Sequence, residues 1–382
     1  MKYLNLSSYK SFFIKAFCLS MLEIYSLTNS KSYAKLKDRM KRILLIGLFL
    51  LLLVPNLQGS ASEAGAIFLI IYPGARPNGM GTVFTAISDD AYATYYNDAG
   101  LGFQEENYVG LMHANWLSGL YPDMYYEFIG LVHPLAGGGV IGGHIIYLTT
   151  GETIGTTIEG TEIARWRTFD AAVKISYGTK LNERLAIGLG AKFIYSFLVP
   201  AWVVEKILGM DYKGGGTGTA WGFDVSTLYI LNRYIQMGAS LQNIGPNIKY
   251  TDTGESDPIP WTLRLGIAWH PIRSKANKLT ISLELTKILV GIFSDLREVQ
   301  KDFKEGLSYI YQDTWKGIGA EYIWSDLLCL RAGYFWDTIG SRVGPTFGGG
   351  IMFRGLRLDI GVDSPLYDFP TDNYRFSLSY TF

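Results

Sequence analysis

The last ten residues, NYRFSLSYTF (373–382), decide the fold. Tyr374, Phe376, Leu378, Tyr380 and Phe382 share one parity, while Arg375, Ser377, Ser379 and Thr381 share the other. A strand points successive side chains to opposite faces, so this stretch carries one aromatic-apolar face and one small polar face. Two settings ask for such a strand. A soluble sheet buries the apolar face and wets the polar one. A barrel in lipid turns the apolar face out to hydrocarbon and the polar face in to a lumen.

The same alternation recurs upstream. Leu185, Ile187, Leu189, Ala191, Phe193, Tyr195 and Phe197 oppose Ala186, Gly188, Gly190, Lys192 and Ser196, with Ile194 the one exception. Phe169, Ala171, Val173, Ile175 and Tyr177 oppose Asp170, Lys174 and Ser176. Trp261, Leu263, Leu265, Ile267 and Trp269 oppose Thr262, Arg264 and His270, and Leu356, Leu358, Ile360 and Val362 oppose Arg357, Asp359 and Asp363. About fourteen such segments run between residues 107 and 382, each about ten residues long, which is the length and the even number of a bacterial single-chain barrel.

The connections sort as well. Those at 134–137, 180–183, 230–232, 270–277, 324–326 and Arg354-Gly355 are short, whereas those at 149–168, 199–217, 243–259 and 288–313 are long. A soluble sandwich has no reason to alternate its loops in this way, but an outer-membrane barrel has short periplasmic turns and long external loops. The reading is therefore an all-β protein: a transmembrane antiparallel barrel of about fourteen strands with an N-terminal hatch and short helices in its external loops. Composition agrees: 48% hydrophobic, 14% aromatic, 18% charged and 44 glycines suit many twisted strands joined by turns.

The N-terminus supplies the compartment. Lys41 and Arg42 precede an apolar run from Ile43 to Val54, followed by Pro55 and the small residues Gly59-Ser60-Ala61. That order is a secretory signal, and its core is short for a membrane-spanning helix. Residues 40–61 are accordingly expected to be the signal peptide, Met40 the true start and 1–39 an over-extended translation. Residues 1–61 hold nine of the 34 Lys/Arg and two of the 34 Asp/Glu, which leaves 25 basic against 32 acidic residues, a net −7 that argues against a nucleic-acid partner. Cys329 stands alone after residue 61, so no internal disulfide braces the chain there.

Residues 62–106 fit no strand pattern and are expected to form the hatch, folded into the barrel mouth with Arg76, Asp89 and Asp90 pairing with lumen charges. Within it, Gly74-Ala75-Arg76, Gly79-Met80-Gly81, Ala86-Ile87-Ser88-Asp89-Asp90-Ala91 and Tyr96-Asn97-Asp98-Ala99-Gly100-Leu101 resemble the N-terminal signature of the PorV/PorQ family, which is itself similar to the FadL group of hydrophobic-compound channels. Gly319-Ala320-Glu321-Tyr322 and Leu330-Arg331-Ala332-Gly333-Tyr334 are similar to the family's strand motifs. The resemblance runs from about Ser62 to Phe382 and implies a barrel with an N-terminal plug. It departs from the FadL group's Asn-Pro-Ala at Asn97-Asp98-Ala99.

On function, the resemblance implies an outer-membrane protein of type IX secretion that docks exported cargo through a C-terminal signal domain and passes it to surface attachment. The alternative is a FadL-like channel for long-chain hydrophobic compounds. Bacterial outer-membrane proteins as a class also resemble this chain in ending on an aromatic strand that the barrel-assembly machinery recognises, a role that falls to Tyr380 and Phe382. Both chain ends are expected in the periplasm.

The expected site residues fall into three groups. Gly74, Arg76, Gly79, Met80, Gly81, Asp89, Asp90, Asn97 and Gly100 belong to the hatch. Lys174, Lys192, Asp224, Arg264, Glu284, Arg331, Arg357 and Asp359 face the lumen, bracing the wall or holding the hatch through mutual ion pairs. Helix-like spacing over Pro200–Asp211 and Ile288–Tyr311 puts Trp202, Ile207, Leu208, Phe293, Leu296, Val299 and Phe303 on a lid, an intake groove or a partner surface, against the plainer role of stiffening the rim. No catalytic or metal site and no cofactor is expected. Gly79-Met80-Gly81 lacks the Lys-Ser/Thr of a phosphate loop, and His113, His133, His144 and His270 show no pairing with a nucleophile in the sequence.

Overall fold

The computed structural model describes residues 64–119, 123–157, 159–208, 215–250, 256–363 and 373–382. The expected signal peptide and the extension before it lie outside these residues. In chain order the strands are β1 (Tyr108–Asn115), β2 (Tyr125–Pro134), β3 (Val140–Thr156), β4 (Glu162–Asn182), β5 (Leu185–Val199), β6 (Gly216–Asn232) and β7 (Ile235–Ile244). Then follow the two-residue strands β8 (Ile248–Lys249) and β9 (Ser256–Asp257), and β10 (Thr262–Arg273), β11 (Asn277–Ile288), β12 (Trp315–Trp324) and β13 (Leu328–Asp337). The last three are β14 (Arg342–Phe353), β15 (Leu356–Val362) and β16 (Tyr374–Thr381).

Leaving aside β8 and β9, fourteen strands pair antiparallel with their neighbours, and the pairings β1–β16 and β5–β6 complete the circuit. The seam runs in register from Tyr108 opposite Thr381 to Ala114 opposite Arg375, and Asn107 and Phe382 exchange both backbone hydrogen bonds below it. The circuit leaves no open sheet edge, which hydrocarbon demands because no water is available there to satisfy unpaired backbone groups. Among the described residues no helix is long and apolar enough to cross a membrane.

The parity read in the sequence is the parity of the wall. Tyr374, Phe376, Leu378 and Tyr380 are exposed while Arg375 and Ser377 are buried. Val173, Ile175 and Leu189 are exposed while Lys174, Ser176 and Lys192 are buried. In a soluble protein this would be inside out; in lipid it is a membrane wall. Ile194, the exception, sits on the inward face fully buried.

One end of the barrel carries the short turns at 135–139, 183–184, 233–234, 274–276, 325–327 and 354–355, and the other carries the long connections. Three expectations change at that second end. The stretch 149–168 is mostly strand, because β3 and β4 run on as a ribbon through a bulge at Thr149/Gly151, pairing Thr153 with Trp166 and Ile154 with Arg165. Thr, Ile and Trp favour strand wherever they find cross-strand partners, with or without a bilayer. Trp261 lies just before β10, buried, its indole donating to the Gly245 carbonyl, so it is not part of the exposed row. The helical stretch after β11 is two helices, Ile292–Lys301 and Phe303–Asp313, because Asp302 turns extended and its carboxylate caps the second by accepting from Lys304 and Glu305 amides. The first external helix spans Ala201–Leu208.

Candidate functional site: the segment inside the wall

Residues 64–106 form short turns of helix, including Ala75–Asn78 (α1) and Ala93–Tyr96 (α2), and most are buried. Their partners are the inward-facing residues of all fourteen barrel strands. Four clusters of charge and a set of glycines make the contacts.

The first cluster centres on Arg76. Its guanidinium takes Glu321 of β12 in a two-pronged grip, Nε to Oε2 at 2.9 Å and Nη2 to Oε1 at 2.7 Å, while Nη1 donates to Asp89 at 2.5 Å and Asp90 at 2.9 Å. Arg331 of β13 and Arg357 of β15 reach Glu321 at 2.7 and 3.0 Å and both pair with Asp359. Three guanidinium groups and four carboxylates thus share one node toward the short-turn end. Fork-shaped Arg suits this, since it can satisfy several carboxylates in fixed geometry.

A second cluster joins Lys174 of β4 to Asp98 at 2.8 Å, to Asp224 of β6 at 2.5 Å and to the Thr94 carbonyl at 2.7 Å. Lys192 of β5 adds Asp224 at 3.0 Å and the Asn243 side-chain oxygen at 2.6 Å. Asp98 stands where the FadL-type motif has proline, and its carboxylate is what Lys174 grips. In the third, Arg264 of β10 is fully buried, its guanidinium 4.6 Å from the Tyr72 ring centre and within 3.4 Å of Glu284. Glu284 of β11 accepts the backbone N–H groups of Phe84 and Thr85, each at 2.9 Å, and Gln242 of β7 donates to the Tyr95 and Tyr96 carbonyls. The fourth pairs Arg375 of β16 with Asp363 at 2.6 Å, and the Asn78 amide donates to the same carboxylate.

Glycine lets backbone touch backbone between these clusters. A Cβ added at Gly188 would lie 2.2 Å from the Ala99 nitrogen, at Gly238 2.2 Å from the Thr85 oxygen, at Gly319 2.0 Å from the Met80 oxygen and at Gly333 2.1 Å from the Gly81 nitrogen. Gly79 backs onto Gly348 and Gly361 onto Ala75. Gly74 and Gly81 hold positive φ of 93° and 67°, conformations that side-chain-bearing residues rarely adopt. Gly100 packs against the Ser88 carbonyl, Met80 is fully buried, and the Asn97 amide bridges the Thr85 and Thr227 carbonyls.

Of the charges expected in the lumen, Lys174, Arg264 and Glu284 bond the segment directly; Asp224 and Lys192 join it through Lys174, and Arg331, Arg357 and Asp359 share the Glu321 node with Arg76. Glu321, Asp98, Asp363 and Arg375 complete the clusters and were not singled out as site residues. Glu321 was legible, since it shares the inward parity of Gly317 and Gly319. The described start of the segment lies at the long-connection end, where the Gly65 amide donates to the Pro258 carbonyl, opposite the end where Phe382 bonds Asn107. Among the external residues, Trp202 and Phe303 are exposed, while the side chains of Ile207, Leu208, Phe293 and Leu296 lie outside the described set. The histidines bond Glu127 and Asn115 (His113), Asn107 (His133), Thr94 (His144) and Thr280 (His270).

A closed cylinder of fourteen antiparallel strands, apolar outside and charged within, defines a transmembrane β-barrel. The sequence profile of the family described as Type IX secretion system protein PorV matches residues 56–295, and the chain belongs to that family, whose place is the outer membrane. In fold it is similar to the toluene transporter TodX of Pseudomonas putida, at 14% identity over 81% of this chain and 97% of that one, with a TM-score of 0.50. A TodX monoaromatic hydrocarbon channel mutant, deltaS2S3, gives 14% identity, 81% and 98% coverage and a TM-score of 0.52. A Pseudomonas aeruginosa FadL homologue gives 12%, 82%, 98% and 0.46. No curated protein matches the sequence.

Proposed function

We propose that this protein is a docking barrel of type IX secretion: it receives exported proteins by their C-terminal signal domain at the outer membrane, while residues 62–106 act as a fixed plug. The observation that carries this reading is that residues 64–106 touch all fourteen strands and bond most of them. Moving the plug would strip several buried ion pairs of their partners together, each such break costing about 3–5 kcal/mol. A wall so filled serves better as a shaft that presents a surface than as a conduit. The short turns and Phe382 then face the periplasm, where the assembly machinery meets the final strand.

The test is to lock the plug. A Cβ on Gly266 of β10 would lie 3.2 Å from that of Ala86, close to disulfide reach, so Ala86→Cys with Gly266→Cys staples segment to wall. Docking predicts that the oxidised double variant still co-purifies with secreted proteins sharing a C-terminal domain and still supports their surface attachment. If oxidation abolishes secretion and reduction restores it, or if vesicles bearing the unlocked protein take up long-chain fatty acid and locked ones do not, the lumen is the route and the channel reading replaces this one.

A further inference from the structure

The helical hairpin between β11 and β12 is fastened to the outside of the wall. Lys287 has the outward parity of Leu283 and Leu285, both half exposed, yet it is buried. What covers it are the two helices: its ammonium pairs with Asp295 of the first, Ile292–Lys301 (α4, α3 being Ala201–Leu208), at 2.8 Å and with Asp313 of the second, Phe303–Asp313 (α5). Next to it, Lys316 of β12 is also on outward parity, in step with exposed Ile318, and its ammonium lies 4.0 Å from the centre of the Tyr311 ring while donating to the Thr314 carbonyl.

The least exposed residues of α5, Gly306, Ile310 and Asp313, mark the side that packs, and the Lys316 contact sets Tyr311 on the flank beside the wall's outer face. Tyr311 is the last of a stripe spaced by four, Phe303, Leu307 and Tyr311, exposed by 69%, 50% and 67%. Residues four apart stack on one side of a helix. The polar residues Lys304, Ser308 and Gln312 lie on the flank beyond. The stripe therefore stands beside the outward-facing ends of β11 and β12, with Lys316 between Tyr311 and exposed Ile318.

We infer that α5 is an interfacial helix that lays Phe303, Leu307 and Tyr311 into the outer leaflet beside the barrel, with Lys304 and Lys316 held at headgroup level. An amphipathic helix in the membrane plane buries its apolar side in the boundary between headgroups and acyl chains, and long cationic side chains reach back to the phosphates. The two ion pairs from Lys287 set its angle. The bound partner is thus the lipid surface itself, not a protein docked on the rim, and the inference is independent of what the barrel secretes or conducts.

Single cysteines test it. With Cys18 and Cys329 changed to serine, Leu307→Cys and Gln312→Cys are each labelled with an environment-sensitive fluorophore, and the full barrel is reconstituted in phosphatidylcholine–phosphatidylglycerol vesicles containing lipid with a nitroxide high on its acyl chain. The expected result is a blue-shifted emission at 307 that the nitroxide lipid quenches several-fold more than at 312, with iodide in the water showing the reverse order. Equal quenching at the two positions overturns the proposal. So does protection at 307 that disappears when the protein is diluted tenfold in lipid, which would make the occupant a second copy of the chain.

Discussion

Arg76 answers to three carboxylates on two different parts of the chain, and its removal strands them together. Arg76→Ala is expected to cost about 3–5 kcal/mol, the penalty of leaving buried charge unpaired. The cost should appear as lost hydrogen-exchange protection across residues 79–104, with the wall strands unchanged. Asp89, more than half exposed, has far less at stake: Asp89→Asn is expected to fall within about 1 kcal/mol, as for surface pairs. Unchanged protection in Arg76→Ala would mean that the glycine contacts alone hold the segment. Those contacts have their own signature. Gly238→Val places a side chain where the Thr85 carbonyl sits and should expose the segment to protease, whereas Gly349→Ala, whose Cβ would come no closer than 3.7 Å to another atom, should not. At this scale the sequence named most of the charges but few of the pairs. Arg76 and Glu321 are 245 residues apart, and no local pattern registers such a distance. Asp98 escaped because a carboxylate beside Asn97 reads as a turn residue until Lys174 is seen above it.

Among the elements, α5 depends on Asp302 for its start. Asp302→Ala removes the acceptor for two free amides and is expected to weaken the helix by about 1 kcal/mol. Faster amide exchange at Lys304 and Glu305 would register it, and exchange as slow as in the unsubstituted protein would show that the ion pairs to Lys287 suffice. The strands were read well within the bilayer and poorly beyond it, for one reason. Lipid on one side and a polar interior on the other force a period of two on every strand that crosses, so β5 and β16 could be written down from their letters. Past the hydrocarbon that demand lapses. The ribbon formed by the ends of β3 and β4 has no apolar–polar alternation in its letters, and this Thr- and Gly-rich stretch looks like a loop. The break at Asp302 was hidden differently, since the apolar spacing runs on across it while the cap resets the helix.

For the whole molecule, closure runs along the β1–β16 seam, and Phe382 extends it by one pair. Phe382 shares two backbone hydrogen bonds with Asn107 and accepts a third from the Asn107 side chain, all through main-chain groups of its own. Phe382→Ala therefore keeps the seam but loses the terminal aromatic. The expected outcome is less folded barrel in cells, judged by heat-modifiable migration, with an unaltered melting temperature for the fraction that folds. A lowered melting temperature would mean that the ring stabilises the seam itself. Fold, sidedness of loops and family signature were all legible because each is written in short-range pattern. How the interior is packed was not, because it is settled by which strands a mobile chain meets when the cylinder rolls up.

The course of residues 64–106 also constrains the order in which the molecule can be made. The described part of the segment starts beside Pro258 at one mouth, descends past all fourteen strands and leaves at the other mouth directly into β1, whose far edge is sealed only by β16. A rod threaded through a tube in that way, and continuous with the tube's first stave, is most simply installed before the final stave is set. On that order, the β1–β16 seam closes around a segment already in place.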